Sequence, residues 1–234
     1  MSNRTRPTSS GGSATPSDAG SDGGLPIWIP LAIVGAVVAA IVIALVATSG
    51  DDGDDVEAGG GSGGGDLDVA YGEVEVVGEP LSPFTDAASD TSVGAMMPAI
   101  TGIDPGGTTQ VFANGRPRAV MLAAHWCPAC QSEIDDINAY LDGGGEFPSG
   151  VDIQVIATWT DPLRANYPPG EWLADNGWSY PTIVDDEDTT LANTLGLTGT
   201  PMWIFVSPDG LVVERTGSIS AEDIAARLEV LAGV

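Results

Sequence analysis

A chain of 234 residues has the length of one or two domains, but 32 glycines and a first part rich in Gly, Ser and Asp reduce the foldable portion to one. Seven arginines, no lysine and 33 acidic residues give a formal net charge of -26, which argues against nucleic acid as a partner. The whole of that charge follows residue 24, where five arginines stand against 31 acids, and an acidic surface of this kind favours solubility without naming a substrate.

Residues 1–24 read as a disordered N-terminus carrying Arg4 and Arg6. Residues 25–47, LPIWIPLAIVGAVVAAIVIALVA, are 23 uncharged residues, enough to cross a hydrocarbon core of about 30 Å as one transmembrane helix. Pro26 and Pro30 fall in its first turns, and Trp28 sits where an interfacial anchor belongs. The competing reading is a cleaved signal peptide, but the run is longer than a typical apolar signal region, and Leu45 breaks a small-x-small site before Ala47. Arg4 and Arg6 precede the run and no basic residue occurs from 48 to 115, so the positive-inside rule puts the N-terminus in the cytoplasm and the remainder outside. The expectation is a single-pass protein of the cell membrane. Residues 48–69, with five acids among Gly and Ser, read as a flexible acidic linker, and residues 70–234 as the extracytoplasmic domain.

Within that domain, Gly72–Val77 and Thr108–Phe112 alternate as peripheral strands do. Arg118–Ala124 (RAVMLAA) is a buried-strand run, followed at once by H-W-C-P-A-C. From Cys130 to Leu141 the apolar residues Ile134, Ile137, Tyr140 and Leu141 recur at helical spacing until Gly143–Gly145 stop them, so a helix begins at the cysteines. Asp152–Thr158 reads as a strand, Pro168–Asn176 as a short helix, Tyr180–Val184 as a strand and Thr189–Leu195 as a helical stretch. Met202–Ser207 reads as a central strand, with a turn at Asp209-Gly210 leading into Leu211–Arg215. A last helix has Ser220 and Asp223 as its cap and Ile224, Leu228 and Leu231 as its apolar face. Strands alternating with helices predict an α/β fold, a mixed central sheet flanked by helices.

Cys127 and Cys130 are the only cysteines. Three apart at a helix start, they are close enough to bridge, and the orphan N–H groups and dipole of the helix favour a thiolate on the first. The pattern predicts a redox pair with Cys127 as nucleophile and Cys130 as resolving thiol. A structural disulfide, half of a metal site and a pair of inert thiols are the other readings. A loop this short restrains little of the unfolded chain, and two cysteines with one histidine fall short of a closed zinc site. No cofactor beyond the Cys127–Cys130 pair and no bound metal is expected. The acidic run Asp185–Asp188 reads as a solvated turn in preference to a cation site.

Trp126 to Glu133, W-C-P-A-C-Q-S-E, resembles the active site of thioredoxin-fold proteins, and more closely that of the membrane-anchored TlpA/ResA-like thiol-disulfide oxidoreductases. Val93–Pro98 resembles that family's Gly-x-x-x-Pro segment, and Gly199–Gly210 (GTPMWIFVSPDG) its cis-proline strand and hairpin, so the likeness covers roughly residues 92–232. The resemblance implies a thioredoxin-like fold, a cis Pro201 beside the cysteines, the Thr200 backbone as a platform for substrate, Trp126 as a shield of the site, and Glu133 as an acid that tunes the thiols or relays protons. An ordinary proline at a strand start, core packing for Trp126 and a helix-start glutamate are the plainer readings of the same residues.

Two departures qualify the likeness. Met121 stands where cytosolic thioredoxins bury an aspartate, and Trp159–Trp178 resembles the insertion that separates this family from minimal thioredoxin. His125, the only histidine, reads as incidental. The implied activity is reduction of disulfides in exported proteins, cytochrome c maturation being one such process, with disulfide- or dithiol-bearing extracytoplasmic proteins and a membrane electron donor or acceptor as partners. A disulfide-forming oxidase or isomerase and a tethered metal-binding module are the alternatives.

Overall fold

A computed structural model describes residues 69–113 and 115–233. The predicted N-terminus, the span over residues 25–47 and nearly all of the linker lie outside the described residues. Among the described residues no helix is long and apolar enough to cross a membrane.

Two sheets form the body. Strands β1 (Glu75–Val77), β2 (Ala99–Ile103) and β3 (Thr109–Phe112) make an antiparallel sheet in the order β1-β2-β3. Strands β4 (Arg118–Ala123), β5 (Asp152–Ala157), β6 (Thr182–Val184), β7 (Met202–Val206) and β8 (Val212–Thr216) make a five-stranded sheet in the order β6-β5-β4-β7-β8. Pairing of β4 with β5 and of β5 with β6 is parallel, whereas β7 runs antiparallel to both β4 and β8, so the sheet is mixed as expected. The helices are α1 (Pro128–Asp142), α2 (Pro169–Asp175), α3 (Thr190–Thr194) and α4 (Ala221–Ala232).

The central strands are buried on both faces, which is why they read as continuous apolar runs. Along β4, Ala119, Met121 and Ala123 join one core with Ile134 and Ile137 of α1 and Ile224 and Leu228 of α4. Val120 and Leu122 point the other way, into a second core with Ile100 and Phe112 of the small sheet and Leu191 of α3. Strand β7 obeys the same parity, with Trp203 and Phe205 in the first core and Met202, Ile204 and Val206 in the second. At about 25 cal/mol per Å² of apolar surface, burial on this scale is the main stabilising term.

Ends and edges follow local rules. The Ser220 hydroxyl accepts from the Asp223 N–H at 3.1 Å and caps α4, while Gly233 closes it with φ 76°. Helix α1 starts at Pro128, two residues before the predicted first position, because proline suits the first helical site, where its missing N–H has no partner to lose. Strand β2 is absent from the sequence reading. Its run AITGI carries Gly102, where a Cβ would meet Ile183 Cγ2 at 2.6 Å, so glycine lets the small sheet approach β6.

The segment before β2 is fastened at long range. Arg215 of β8 donates to Asp90 through Nε at 2.8 Å and Nη2 at 2.5 Å, and through Nη1 to the Leu195 carbonyl at 3.0 Å. Both charged side chains are excluded from solvent, at 0% and 1% exposure.

Candidate functional site

The cysteines lie where the central strand β4 gives way to α1. Cys127 is the N-cap of that helix, with extended backbone (φ -80°, ψ 116°), and its carbonyl accepts the first helical bond, from the Gln131 N–H at 3.1 Å. Its N–H donates to the Ala124 carbonyl at 3.0 Å, which fixes the turn out of the strand. Cys130 lies one turn on, fully buried, whereas Cys127 retains 7% exposure. Both are free thiols.

Strand β7 brings the third component. The Thr200–Pro201 peptide bond is cis, and the Cys127 Sγ donates to the Thr200 carbonyl at 3.3 Å. Residues 73 positions apart in sequence thus meet at one sulfur.

The two thiols differ electrostatically. Burial by itself raises the Cys127 pKa, but hydrogen bonding from the Thr200 side chain, from the backbone at Cys130 and Ala129 and from the Cys130 side chain outweighs it, so the thiol lies below its ordinary value. Burial dominates at Cys130, and with the neighbouring Cys127 it pushes that thiol up to about 12. The arrangement therefore offers one partly accessible sulfur with stabilised negative charge and, behind it, one sheltered sulfur held as a thiol.

Glu133 is buried at 3% exposure, one helical turn past Cys130. Its Oε1 accepts from the Trp203 indole N–H at 2.6 Å and the Ile219 N–H at 3.3 Å. Those bonds go to the helix-facing side of β7 and to the turn before α4; neither goes to a sulfur. Oε2 is buried, and the residue lines a cleft of about 430 Å³ with Asp136, Ser218 and Ser220. Burial raises the Glu133 carboxyl above its ordinary range, against the opposing effect of Ser218 and Trp203. Trp203 was not among the residues singled out in the sequence. A tryptophan inside a core strand gives no sign of its polar partner, which lies 70 residues away.

Trp126 is half-buried, and its indole N–H donates to the Trp159 carbonyl at 2.7 Å, while the Arg164 guanidinium lies 4.5 Å from its ring centre. His125 is not incidental: it is 1% exposed, and both ring nitrogens have partners, Nδ1 with the Ala165 carbonyl at 2.7 Å and Nε2 with the Asp161 N–H at 3.1 Å. The stretch 159–168 thus packs along the residues that precede the nucleophile. It contains two non-glycine residues in the left-handed region, Trp159 (φ 50°) and Asn166 (φ 65°), a conformation costing on the order of 1 kcal/mol or more per residue that persists where surrounding contacts impose it.

Of the acidic run, Glu187 and Asp188 are exposed in a turn as expected, and only Asp185 departs from that reading. Asp185 is 2% exposed and accepts from the Thr158 hydroxyl at 2.6 Å and from the N–H groups of Leu191 and Ala192 at 2.8 and 3.1 Å. It holds the start of α3. At the position where thioredoxins carry aspartate, Met121 is fully buried in the first core.

Comparison with known proteins identifies the family of the domain. A family model described as a thioredoxin-like domain matches residues 107–232. The thiol:disulfide interchange protein DsbE of Haemophilus influenzae is 26% identical over 108 residues, covering 46% of this chain and 54% of that protein. DsbE of Pseudomonas fluorescens is 27% identical over 128 residues, covering 53% and 66%. The chain thus spans between about half and two thirds of the length of these curated relatives. A solved thiol:disulfide interchange protein of the thioredoxin family from Chlorobium tepidum aligns with a TM-score of 0.48 and 22% identity, covering 62% of this chain and all of the other. A secreted Mycobacterium tuberculosis disulfide oxidoreductase aligns with a TM-score of 0.42 and 17% identity, covering 56% and 89%.

Proposed function

We propose that this chain, which belongs to the thioredoxin-like domain family, exchanges thiols and disulfides through Cys127 and Cys130, outside the cytoplasmic membrane and in the reducing direction. The observation that carries the reading is the asymmetry of the pair: a lowered thiol with residual exposure at the N-cap, and a sheltered one pushed up to about 12 behind it.

In this mechanism the Cys127 thiolate attacks one sulfur of a substrate disulfide. The substrate S–S bond breaks, its leaving sulfur takes a proton, and a mixed disulfide forms at Cys127. Two of the effects that raise the Cys130 thiol, the hydrogen bond and the charge at Cys127, vanish once Cys127 is bonded. Cys130 then loses its proton and attacks the Cys127 sulfur, the second substrate sulfur leaves as a thiol, and the pair is oxidised by two electrons. The Thr200 backbone, already in contact with the Cys127 sulfur, serves as the platform along which the substrate segment lies. Trp126 shields the pair, and Glu133 ties α1 to β7 beneath it. No metal or organic cofactor takes part, and a membrane reductant restores the dithiol.

The compartment rests on Arg4, Arg6 and the uncharged run over residues 25–47, which together suit a TlpA/ResA-like membrane-anchored protein whose partners are oxidised cysteines of exported proteins. The relatives named as thiol:disulfide interchange proteins support the chemistry. Insulin-disulfide reduction by the full chain is expected to vanish in Cys127→Ser, and equal rates would overturn the assignment. Cys130→Ala is expected to accumulate mixed disulfides with its partners. A reduction potential near about -120 mV, the level of a strong oxidant, would reverse the direction of electron flow and favour disulfide formation.

A further inference from the structure

The exchange chemistry leaves His125 unused, yet among polar side chains beside the dithiol it is tightly constrained. Its Nε2 lies 3.1 Å from the Asp161 backbone N–H, which can only donate, and its Nδ1 lies 2.7 Å from the Ala165 carbonyl, which can only accept. Both bonds are satisfied together by one state alone: a neutral ring with its proton on Nδ1. The residue's own carbonyl accepts from Asn166 Nδ2 at 3.0 Å and Gln131 Nε2 at 3.2 Å, so His125 joins the stretch 159–168 to α1 as well.

That stretch also fixes the residue next to the nucleophile. Trp126 donates to the Trp159 carbonyl and stacks beneath Arg164. The outer side of the stretch carries Leu163, 95% exposed, and Tyr167, 42% exposed. One imidazole therefore controls a segment that orients Trp126 on one side and shows apolar surface on the other.

We propose that His125 is a positioning residue for thiol exchange: its neutral imidazole latches residues 159–168 against Trp126, forming the rim that receives a polypeptide substrate, and protonation at Nε2 releases the latch and weakens binding of that substrate. The proposal rests on the reading of Cys127 and Cys130 as an exchange site.

The charges around the ring set the balance. Burial lowers the His125 pKa, opposed by the Ala165 carbonyl and the Asp161 carboxylate. Asp161 is engaged elsewhere, accepting from the Leu163 N–H at 2.9 Å and pairing with Arg164 at 3.4 Å. From α1 the facing side chain is the uncharged Gln131, with the Cys127 thiol two residues along the chain from the histidine. Tyr167 presents its ring at 6.0 Å. Tyr71 donates to the Thr160 carbonyl at 3.2 Å, with Glu187 acting on that tyrosine beyond it. A protonated Nε2 would set N–H against the N–H of Asp161, a contact that removes one bond and adds repulsion.

Because His125 is the only histidine among 234 residues, its ring signals are assigned without ambiguity. The test is nitrogen-15 NMR of the full chain in mild detergent between about pH 5 and pH 8. Hydrogen exchange of the Trp126 indole proton is followed over the same range, and steady-state reduction of insulin and of a small aromatic disulfide is measured in parallel. The expected result is an Nδ1–H tautomer, loss of Trp126 indole protection as the ring protonates, and an insulin KM that rises several-fold on acidification. The small disulfide reports the thiol chemistry alone and corrects for its own pH dependence. His125→Asn keeps a donor for the Ala165 carbonyl without a titrating ring, and its insulin KM is expected to stay flat with pH. His125→Phe, which keeps neither bond, is expected to show a high KM throughout. An Nε2–H tautomer, or an insulin KM whose pH profile is the same in wild type and His125→Asn, would overturn the proposal. A chain that reduces neither disulfide sinks the exchange reading instead, while the tautomer and the indole exchange still judge the latch.

Discussion

Partial alkylation of the dithiol with iodoacetamide tests the inequality of the two sulfurs directly. With its thiol pushed up to about 12, Cys130 has only about one part in 100,000 ionised at neutral pH. Cys127 lies below its ordinary value, because hydrogen bonding there outweighs burial, so a far larger fraction of it is ionised at the same pH. The more basic thiolate is the better nucleophile, but with a Brønsted slope of about 0.45 each unit of pKa gap returns only about threefold to Cys130 against the tenfold it removes in ionised fraction. The net preference at neutral pH is therefore for Cys127, by about three- to fourfold for every unit that separates the two thiols, before access is considered. Access acts in the same direction, because Cys130 has no exposure and Cys127 has 7%. The assay quenches the reaction at low conversion and maps the modified sulfur by mass spectrometry after proteolysis. Modification of Cys130 at a rate within a few-fold of Cys127 would refute the electrostatic division of roles.

Two further outcomes follow from buried charge. Asp90→Ala strands the Arg215 guanidinium at 0% exposure and is expected to cost about 3–5 kcal/mol in urea unfolding, whereas Arg227→Ala, which breaks a half-buried pair with Glu214, is expected to cost about 1 kcal/mol or less. Hydrogen bonding to Arg215 lowers the Asp90 carboxyl, so the stability it supplies is complete above its unfolded value of about 3.9 and is lost as pH falls below it. Glu133 has the opposite sign. Its raised carboxyl binds a proton more readily in the folded state, so its contribution becomes less favourable as pH rises past the unfolded value of about 4.3. Glu133→Gln is therefore expected to gain stability relative to wild type as pH rises past about 4.3, measured by denaturant midpoint at each pH.

The central strands were legible because burial on both faces leaves a continuous apolar run, and Arg118–Ala123 and Met202–Val206 match their predicted stretches to within one residue. The capping serine at 220 was equally plain, since its partner is three residues away. Strand β2 was hidden because Gly102 interrupts its pattern, and the cause, close approach to Ile183, is visible only in three dimensions. Of the site, the cysteines and the Thr200–Pro201 pair carry recognisable motifs, and the structure brings them together at the Cys127 sulfur. His125 and Glu133 could be noticed but not understood. Their partners lie 36 to 86 residues away, on backbone groups and an indole that no local pattern announces.

Helix α1 meets β7 at two points with different consequences. Cys127 touches Thr200, and Glu133, near the middle of the helix, holds Trp203 three residues further along the strand. Two contacts fix both the distance and the direction of the helix relative to the proline turn, where one contact would leave it free to swing. In the proposed exchange that constraint would keep a mixed disulfide at Cys127 aligned for attack by Cys130. Glu133 therefore acts first through geometry. Oε1 is held by Trp203 and Ile219, and the Ser218 and Trp203 side chains oppose the effect of burial on the carboxyl. One carboxylate thus fixes α1 against β7 without a hydrogen bond to either sulfur.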